Sequence, residues 1–285
     1  MSEFAERWFA PAKLNLFLHV LARRGDGYHQ LQTLFQILDE GDTLQFEPLS
    51  GGELQLEVRS NTTGQRLPLE NNLILRAARL LRTQAGAPAL GARISVEKRI
   101  PMGSGLGGGS SDAATTLIAL NRYWQLNLSL TELKALGLQL GADVPLFING
   151  KSAWGEGVGE QLQTITLPPR WYLVATPDCE VSTAEIFNHE NLTRNSPAIK
   201  MADFLAGRSR NDCEPVTCEL YPEVAQALAW LTQFGQARMT GTGASVFASF
   251  TAEAEANAAL SQLPARWQGF VACGLNSLEP GRYPT

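Results

Sequence analysis

One glycine-rich stretch constrains this chain more than any other feature. Residues 101–111 read Pro-Met-Gly-Ser-Gly-Leu-Gly-Gly-Gly-Ser-Ser, with glycine at 103, 105, 107, 108 and 109. Without Cβ atoms the backbone can approach a ligand closely, and positive φ lets successive N–H groups converge on one point. Ile94, Val96 and Ile100 mark a strand that ends at Pro101. Beyond the loop, Ser110, Ser111 and Asp112 offer N-cap oxygens to a helix with apolar residues at Ala113, Leu117, Leu120 and Trp124. Strand, glycine loop and helix N-terminus in that order make an anion cradle, because the unpaired N–H groups and the positive end of the helix dipole face the same place.

A flexible linker is the plain alternative, but linkers are not bracketed by a strand and a capped helix. A Walker loop needs Lys followed by Ser or Thr after its last glycine, where this chain has Ser-Ser-Asp. The Gly103-x-Gly105-x-x-Gly108 spacing fits a dinucleotide fingerprint, yet no carboxylate closes a strand about twenty residues on. The His-Arg-Asp and Asp-Phe-Gly signatures of protein kinases are missing.

The 285 residues suffice for two domains or one large one, and 44% hydrophobic with 18% charged residues describes a globular chain. No apolar run approaches the ~20 residues of a membrane span, and the N-terminus lacks a basic segment followed by an apolar one. A cytoplasmic protein with no membrane partner is therefore expected. A net charge of −5 argues against a nucleic-acid partner, so an anionic ligand must be caught by local N–H groups and a few cations. Four scattered cysteines and three histidines make neither a disulfide scaffold nor a zinc site.

From Pro11 to Val20, Leu14, Leu16, Leu18 and Val20 alternate with Lys13, Asn15, Phe17 and His19, which predicts a strand with one apolar face. Lys13 then reads either as a solvent-facing edge lysine or as a cation shared with Asn15. Arg24-Gly25-Asp26-Gly27-Tyr28-His29 forms a turn whose aromatic and imidazole point opposite ways unless the backbone curls. The alternation at 43–47 and 53–58, joined by Gly51-Gly52, predicts a hairpin. Asn71 or Asn72 caps a helix that stops before Gly86, and Ser129 with Glu132 forms a capping box for a helix ending at Gly141. Val144 precedes Pro145, which puts Asp143 at a helix-to-extended junction, a position that suits turn and catalytic aspartates alike. Residues 151–166 read as extended, 167–170 as a linker and 171–175 as a buried strand. Ser182 and Glu185 make a second capping box, opening a helix with Ile186 and Phe187. A helix at 223–234, strands at 245–250 and 270–274 and an Ala-rich helix at 252–263 complete the chain.

These residues resemble the GHMP kinases, small-molecule kinases named for galactose, homoserine, mevalonate and phosphomevalonate. Pro11-Ala12-Lys13-Leu14-Asn15 is similar to the first motif of that family, Gly105-Leu106-Gly107-Gly108-Gly109-Ser110-Ser111 to its phosphate loop, and Met239 to Ser245 to its third motif. The two extra glycines match the branch that phosphorylates the small molecule 4-diphosphocytidyl-2-C-methyl-D-erythritol, as do Asp26-Gly27-Tyr28-His29 and Gly141-Ala142-Asp143-Val144-Pro145. The resemblance implies an α+β fold of two mixed α/β sandwich domains, 1–166 and 167–285, with the active site in the cleft between them. It implies Lys13 and Asp143 as catalytic residues and ATP with Mg²⁺ as cofactors. The ATP loop would comprise Pro101, Met102, Gly103, Ser104, Gly105, Leu106, Gly107, Gly108, Gly109, Ser110 and Ser111. It further implies Asn15, Tyr28, His29, Phe35, Thr183, Phe187, Thr240, Gly241 and Gly243 as acceptor-binding residues, with Tyr28 and Phe187 flanking a pyrimidine and His29 bonding its edge. Asn211 and Asp212 match a segment with a packing role, and Asn72 and Lys98 are candidates for the adenine pocket. The glutamate that helps to hold magnesium in many members has no clear equivalent near 143–160, which leaves Ser110 or Ser111 as the protein contact for the metal. The rival functions are a nucleotide sensor without chemistry, a kinase for another alcohol such as homoserine or mevalonate, and an NAD-dependent oxidoreductase.

Overall fold

A computed structural model describes residues 6–60, 71–279, 281 and 282. The chain opens with β1 (Arg7–Arg23), β2 (His29–Leu49), β3 (Leu54–Ser60), α1 (Leu73–Gln84) and β4 (Gly91–Lys98). The glycine loop leads into α2 (Gly108–Tyr123), α3 (Leu130–Leu138) and α4 (Val144–Asn149), followed by the hairpin β5 (Ala153–Gly157) and β6 (Gln161–Thr164). The second half adds β7 (Trp171–Thr176), α5 (Thr183–Asn188), α6 (Met201–Leu205), α7 (Glu214–Leu220) and α8 (Pro222–Leu231). It ends with β8 (Ala237–Met239), β9 (Val246–Phe250), α9 (Glu253–Leu260) and β10 (Gln268–Leu275). No helix of the described residues is long and apolar enough to cross a membrane, and all four cysteines are free.

The 21-residue β2 organises this mixed sheet. One of its edges pairs with β1 from His29 to Gln45, while the other is shared by β5 at 31–35, β10 at 37–38 and β4 at 43–49. Through the short β2–β10 pairing the sheet continues from one half of the molecule into the other, in the order β3-β4-β2-β10-β7-β9-β8. Three apolar clusters hold it. One packs α1 to α4 on the first half of the sheet, and a second lies beneath α5, α7, α8 and α9. The third is a seam where Leu14, Phe17, Leu34 and Leu38 meet Tyr172, Val174 and Phe247, with Ile100 and Leu106 of the glycine loop directly above.

Several sequence expectations are corrected. Residues 43–58 are two strands but not a hairpin, because β4 lies between them, antiparallel to β2 and parallel to β3. In this interior place Ala92, Ile94 and Val96 of β4 are fully buried, while β3 at the edge stays half-exposed. β1 has no polar face either: residues 8–20 are all buried, and register shifts at Pro11/Lys13, Asn15/Leu18 and Val20/Ala22 break its alternation. α2 begins at Gly108 with Gly107 (φ 75°) as its N-cap, so Ser110, Ser111 and Asp112 lie inside the helix and cap nothing. Asp143 leads into α4 instead of an extended segment, since a proline in the first helical turn forfeits no hydrogen bond. The Ser182 box is half made: Ser182 Oγ accepts the Glu185 N–H (3.3 Å), but the Glu185 carboxylate accepts the Tyr221 hydroxyl (2.6 Å). The caps by Asn72 and by the Ser129–Glu132 box form as expected.

Candidate active site

The glycine loop is fixed from below and from one side. The Lys13 N–H donates to Leu106 O (3.0 Å), so β1 bonds directly to the loop. From the second half, the N–H groups of Ala244 and Ser245 donate to Gly103 O and Ser104 O, both at 3.0 Å. The two glycine loops approach so closely that a Cβ on Gly105 (φ 75°) would lie 2.2 Å from Thr240 O. Ser111 N is already bonded to Gly107 O (2.9 Å), which leaves the N–H groups of Gly108, Gly109 and Ser110 as the open donors at the helix start. No side chain caps them, so the site is left to an anion.

Lys13 enters at this point. The register shift between Pro11 and Lys13 re-aims β1, and the lysine stem passes beside Gly107, where a Cβ would come within 3.1 Å of its Cε. Its ammonium lies 3.2 Å from Asp143 Oδ2, 2.5 Å from Asn15 Oδ1 and over the Phe35 ring at 5.7 Å. Lys13 is 3% exposed, whereas the Asp143 side chain retains 29% exposure at the mouth. Asn15 is held in turn, its Nδ2 donating to Thr33 Oγ1 (2.9 Å) and its backbone N–H to Thr240 Oγ1 (2.9 Å).

All of this opens on one cleft of about 950 Å³. Of the expected residues, Lys13, Asn15, Asp143, Tyr28, His29, Phe35, Thr183, Phe187, Gly241 and Gly243 line it, with Pro101 to Gly105 and Gly107 to Ser110. Leu106, Ser111 and Thr240 do not. Leu106 and Ser111 are wholly buried behind the wall, and Thr240 braces Asn15 against Gly105 O (3.3 Å). At the far end Tyr28 is 64% exposed on the rim, while the buried His29 ring stacks on Phe187, centroids 5.0 Å apart at 26°. Phe187 thus offers a ligand only one free face. Burial, then the charges of Arg194 and Arg23, hold the His29 imidazole below its usual pKa. Asn211 and Asp212 pack as expected, Asn211 Nδ2 bonding Met239 O (2.9 Å) and Gly241 O (2.8 Å) and Asp212 Oδ2 accepting from Val20 N–H (2.8 Å).

The described residues include no group of three His, Cys, Asp or Glu side chains that could hold a metal. Two buried polar atoms in the first turns of α2, Ser111 Oγ and Asp112 Oδ1, have no hydrogen-bond partner. Ser110 lines the cleft, and Mg²⁺, which binds substrate phosphates with few protein ligands and retains its waters, would enter on the nucleotide there.

Residues 72–151 match the GHMP kinases N terminal domain and residues 191–269 the GHMP kinases C terminal domain. A 4-diphosphocytidyl-2-C-methyl-D-erythritol kinase from Alkalilimnicola ehrlichii is 56% identical over 272 residues, covering 95% of this chain and 92% of that protein. The chain belongs to the GHMP kinase family. One from Pseudomonas aeruginosa is 55% identical over 94% of this chain and 93% of its own length. A crystal structure of 4-(cytidine 5'-diphospho)-2C-methyl-D-erythritol kinase superposes with a TM-score of 0.80 at 34% identity, over 94% of this chain and 98% of that one. A mevalonate kinase at 16% identity (TM-score 0.68) shares the fold. The protein is a small-molecule kinase.

Two polar networks of this GHMP kinase join residues far apart in sequence. Lys98, which lines the cleft as does Asn72, also forms a buried hub: its ammonium donates to Asp42 and to Asp112 (2.7 Å). Asp42 also accepts the N–H groups of Arg99 (2.6 Å) and Ile100 (2.9 Å), immediately before the glycine loop. Burial opposes the Lys98 charge, but Asp112 and Asp42 outweigh it and hold its pKa above the usual lysine range. For Asp112 burial wins over the pull of Lys98, with Asp42 adding to it, and its carboxyl is pushed up to about 7. The other centres on Arg194, bonded to His29. Neither carries a local signal, since each acts through partners far away in sequence.

Proposed function

We propose that this kinase transfers the γ-phosphoryl group of ATP to the 2-hydroxyl of 4-diphosphocytidyl-2-C-methyl-D-erythritol, in non-mevalonate isoprenoid precursor synthesis in the cytoplasm, with 1–166 and 167–285 as its two domains. The observation that carries the reading is the Lys13–Asp143 pair at 3.2 Å beside the uncapped α2 N-terminus, in a cleft that extends to Tyr28, His29 and Phe187. The open N–H groups of 108–110 receive the phosphates. The acceptor hydroxyl lies between Lys13 and Asp143. Its oxygen bonds to the γ-phosphorus as the bond to the ADP oxygen breaks, and its proton passes to the Asp143 carboxylate. A carboxylate suffices as base because a loose phosphoryl-transfer transition state asks mainly for positioning and charge stabilisation. A helix dipole contributes about 0.3–1 kcal/mol, up to ~2 when partly buried, against the ~8 kcal/mol or more by which enzymes lower barriers. The loop therefore binds and orients, and Lys13 balances the charge on the transferring group.

Retention of both Lys13 and Asp143 disfavours a sensor without chemistry, and the aromatic end of the cleft disfavours homoserine or mevalonate, which have no base to stack. The test is coupled ADP release with a panel of alcohols. Turnover with the cytidine-linked acceptor at least about 100-fold above that with homoserine or mevalonate is expected; equal turnover would remove the substrate assignment.

A further inference from the structure

At the aromatic end of the cleft, Arg194 Nε donates to His29 Nε2 at 3.2 Å. The same guanidinium is anchored by three carbonyls: Nη1 donates to Leu192 O (3.2 Å), and Nη2 to Phe187 O (2.9 Å) and His189 O (2.7 Å). A guanidinium carries donors and no acceptor and stays protonated. The histidine nitrogen facing it must present its lone pair, so the ring proton resides on Nδ1. Nδ1 has no protein partner among the described residues and His29 borders the cleft, which makes Nδ1–H the ring's one free polar group. Phe187 covers one face of the ring, and Arg194 bonds the Phe187 carbonyl as well. One side chain thus governs both the proton of His29 and the residue stacked on it.

We infer that Arg194 is a positioning residue that locks His29 in the Nδ1–H tautomer, so that this end of the cleft accepts a hydrogen-bond acceptor and rejects a donor. The inference rests on the acceptor reading proposed above. Cytosine presents the N3 lone pair on its pairing edge, whereas uracil presents N3–H at the same position. A locked Nδ1–H satisfies the first and faces a second donor in the other. A free imidazole could exchange tautomers and accommodate both. The lock therefore converts an aromatic slot for any pyrimidine into one that distinguishes a cytidine diphosphate ester from its uridine analogue.

Two measurements test this, the first without any substrate. The chain has three histidines, so long-range ¹H–¹⁵N spectra of the free enzyme resolve them, with His29→Gln assigning the signal. His29 is expected with Nδ1 protonated and Nε2 bare. The pattern is expected to persist in Arg194→Lys, whose ammonium is also a pure donor, and to give way to mixed tautomers in Arg194→Gln. In the second measurement, Arg194→Gln raises KM for the cytidine acceptor about 10-fold and narrows the cytidine-over-uridine preference by a similar factor, with kcat and the KM for ATP within about twofold. A protonated Nε2 in the free wild-type enzyme, or an unchanged cytidine preference in a folded Arg194→Gln, overturns the inference. If the tautomer is as expected but the wild-type enzyme does not use the cytidine acceptor, the lock stands and the substrate assignment falls.

Discussion

At the scale of single residues, the account turns on where charge is buried and what faces it. Lys13→Ala and Asp143→Asn are each expected to lower kcat by about 10²–10⁴-fold while ATP affinity changes less than about threefold, because the open N–H groups at the start of α2 remain. Steady-state kinetics beside equilibrium nucleotide titration check this. The Asp42–Lys98–Asp112 hub makes a different kind of prediction. Asp112 carries a folded pKa near 7 against about 3.9 unfolded. The fold therefore prefers it protonated, and its contribution to stability is full below about pH 4 and is lost as pH rises to about 7. Asp112→Asn, which leaves the Lys98–Asp42 pair in place, is expected to unfold at a higher temperature than wild type at pH 8, with a smaller difference at pH 5. Thermal melts across that range decide it; a variant less stable than wild type at pH 8 contradicts the assignment.

The elements show what their own sequences could and could not convey. The glycine loop, Lys13 and Asp143 are legible because each lies in a short run whose residue types state their purpose. Strand existence is legible too, but strand partners are not: alternation at 43–47 and 53–58 specifies pleated segments without revealing that 91–98, more than thirty residues further on, enters between them. The helix start is ambiguous in sequence because serines suit an N-cap while a glycine in the left-handed region can serve the same place, and here Gly107 does. Asp42 and Arg194 are silent in sequence because their partners lie 56 and 165 residues away. The contact between the two glycine loops yields a test at this scale. Gly105→Ala puts a Cβ against the Thr240 carbonyl and a side chain at φ 75°. A loss of at least about 1–3 kcal/mol in denaturant unfolding is expected, with weaker ATP binding as the loops separate.

Across the whole molecule, the cleft exists because the two halves share structure instead of merely touching. β2 pairs with β10, the seam cluster draws residues from both halves, and Leu167 in the expected linker is pinned by Asn276 at 2.7 and 3.0 Å. Unfolding is accordingly expected as one transition, although chains of this size often show intermediates. Phe17→Ala, which empties a fully buried place against Trp154 and Phe204, should lower that single transition by about 3–5 kcal/mol without splitting it. The seam also supports the glycine loop from beneath, so the same packing keeps Lys13 of β1 and Asp143 before α4 on one side of the phosphates. A crystal structure with a non-hydrolysable ATP analogue and the cytidine-linked acceptor tests that arrangement most directly. The account predicts the acceptor hydroxyl oxygen within about 2.6–3.2 Å of both Lys13 Nζ and an Asp143 carboxylate oxygen, in line with the γ-phosphorus over residues 108–110. A ternary complex with that hydroxyl away from either side chain would contradict it.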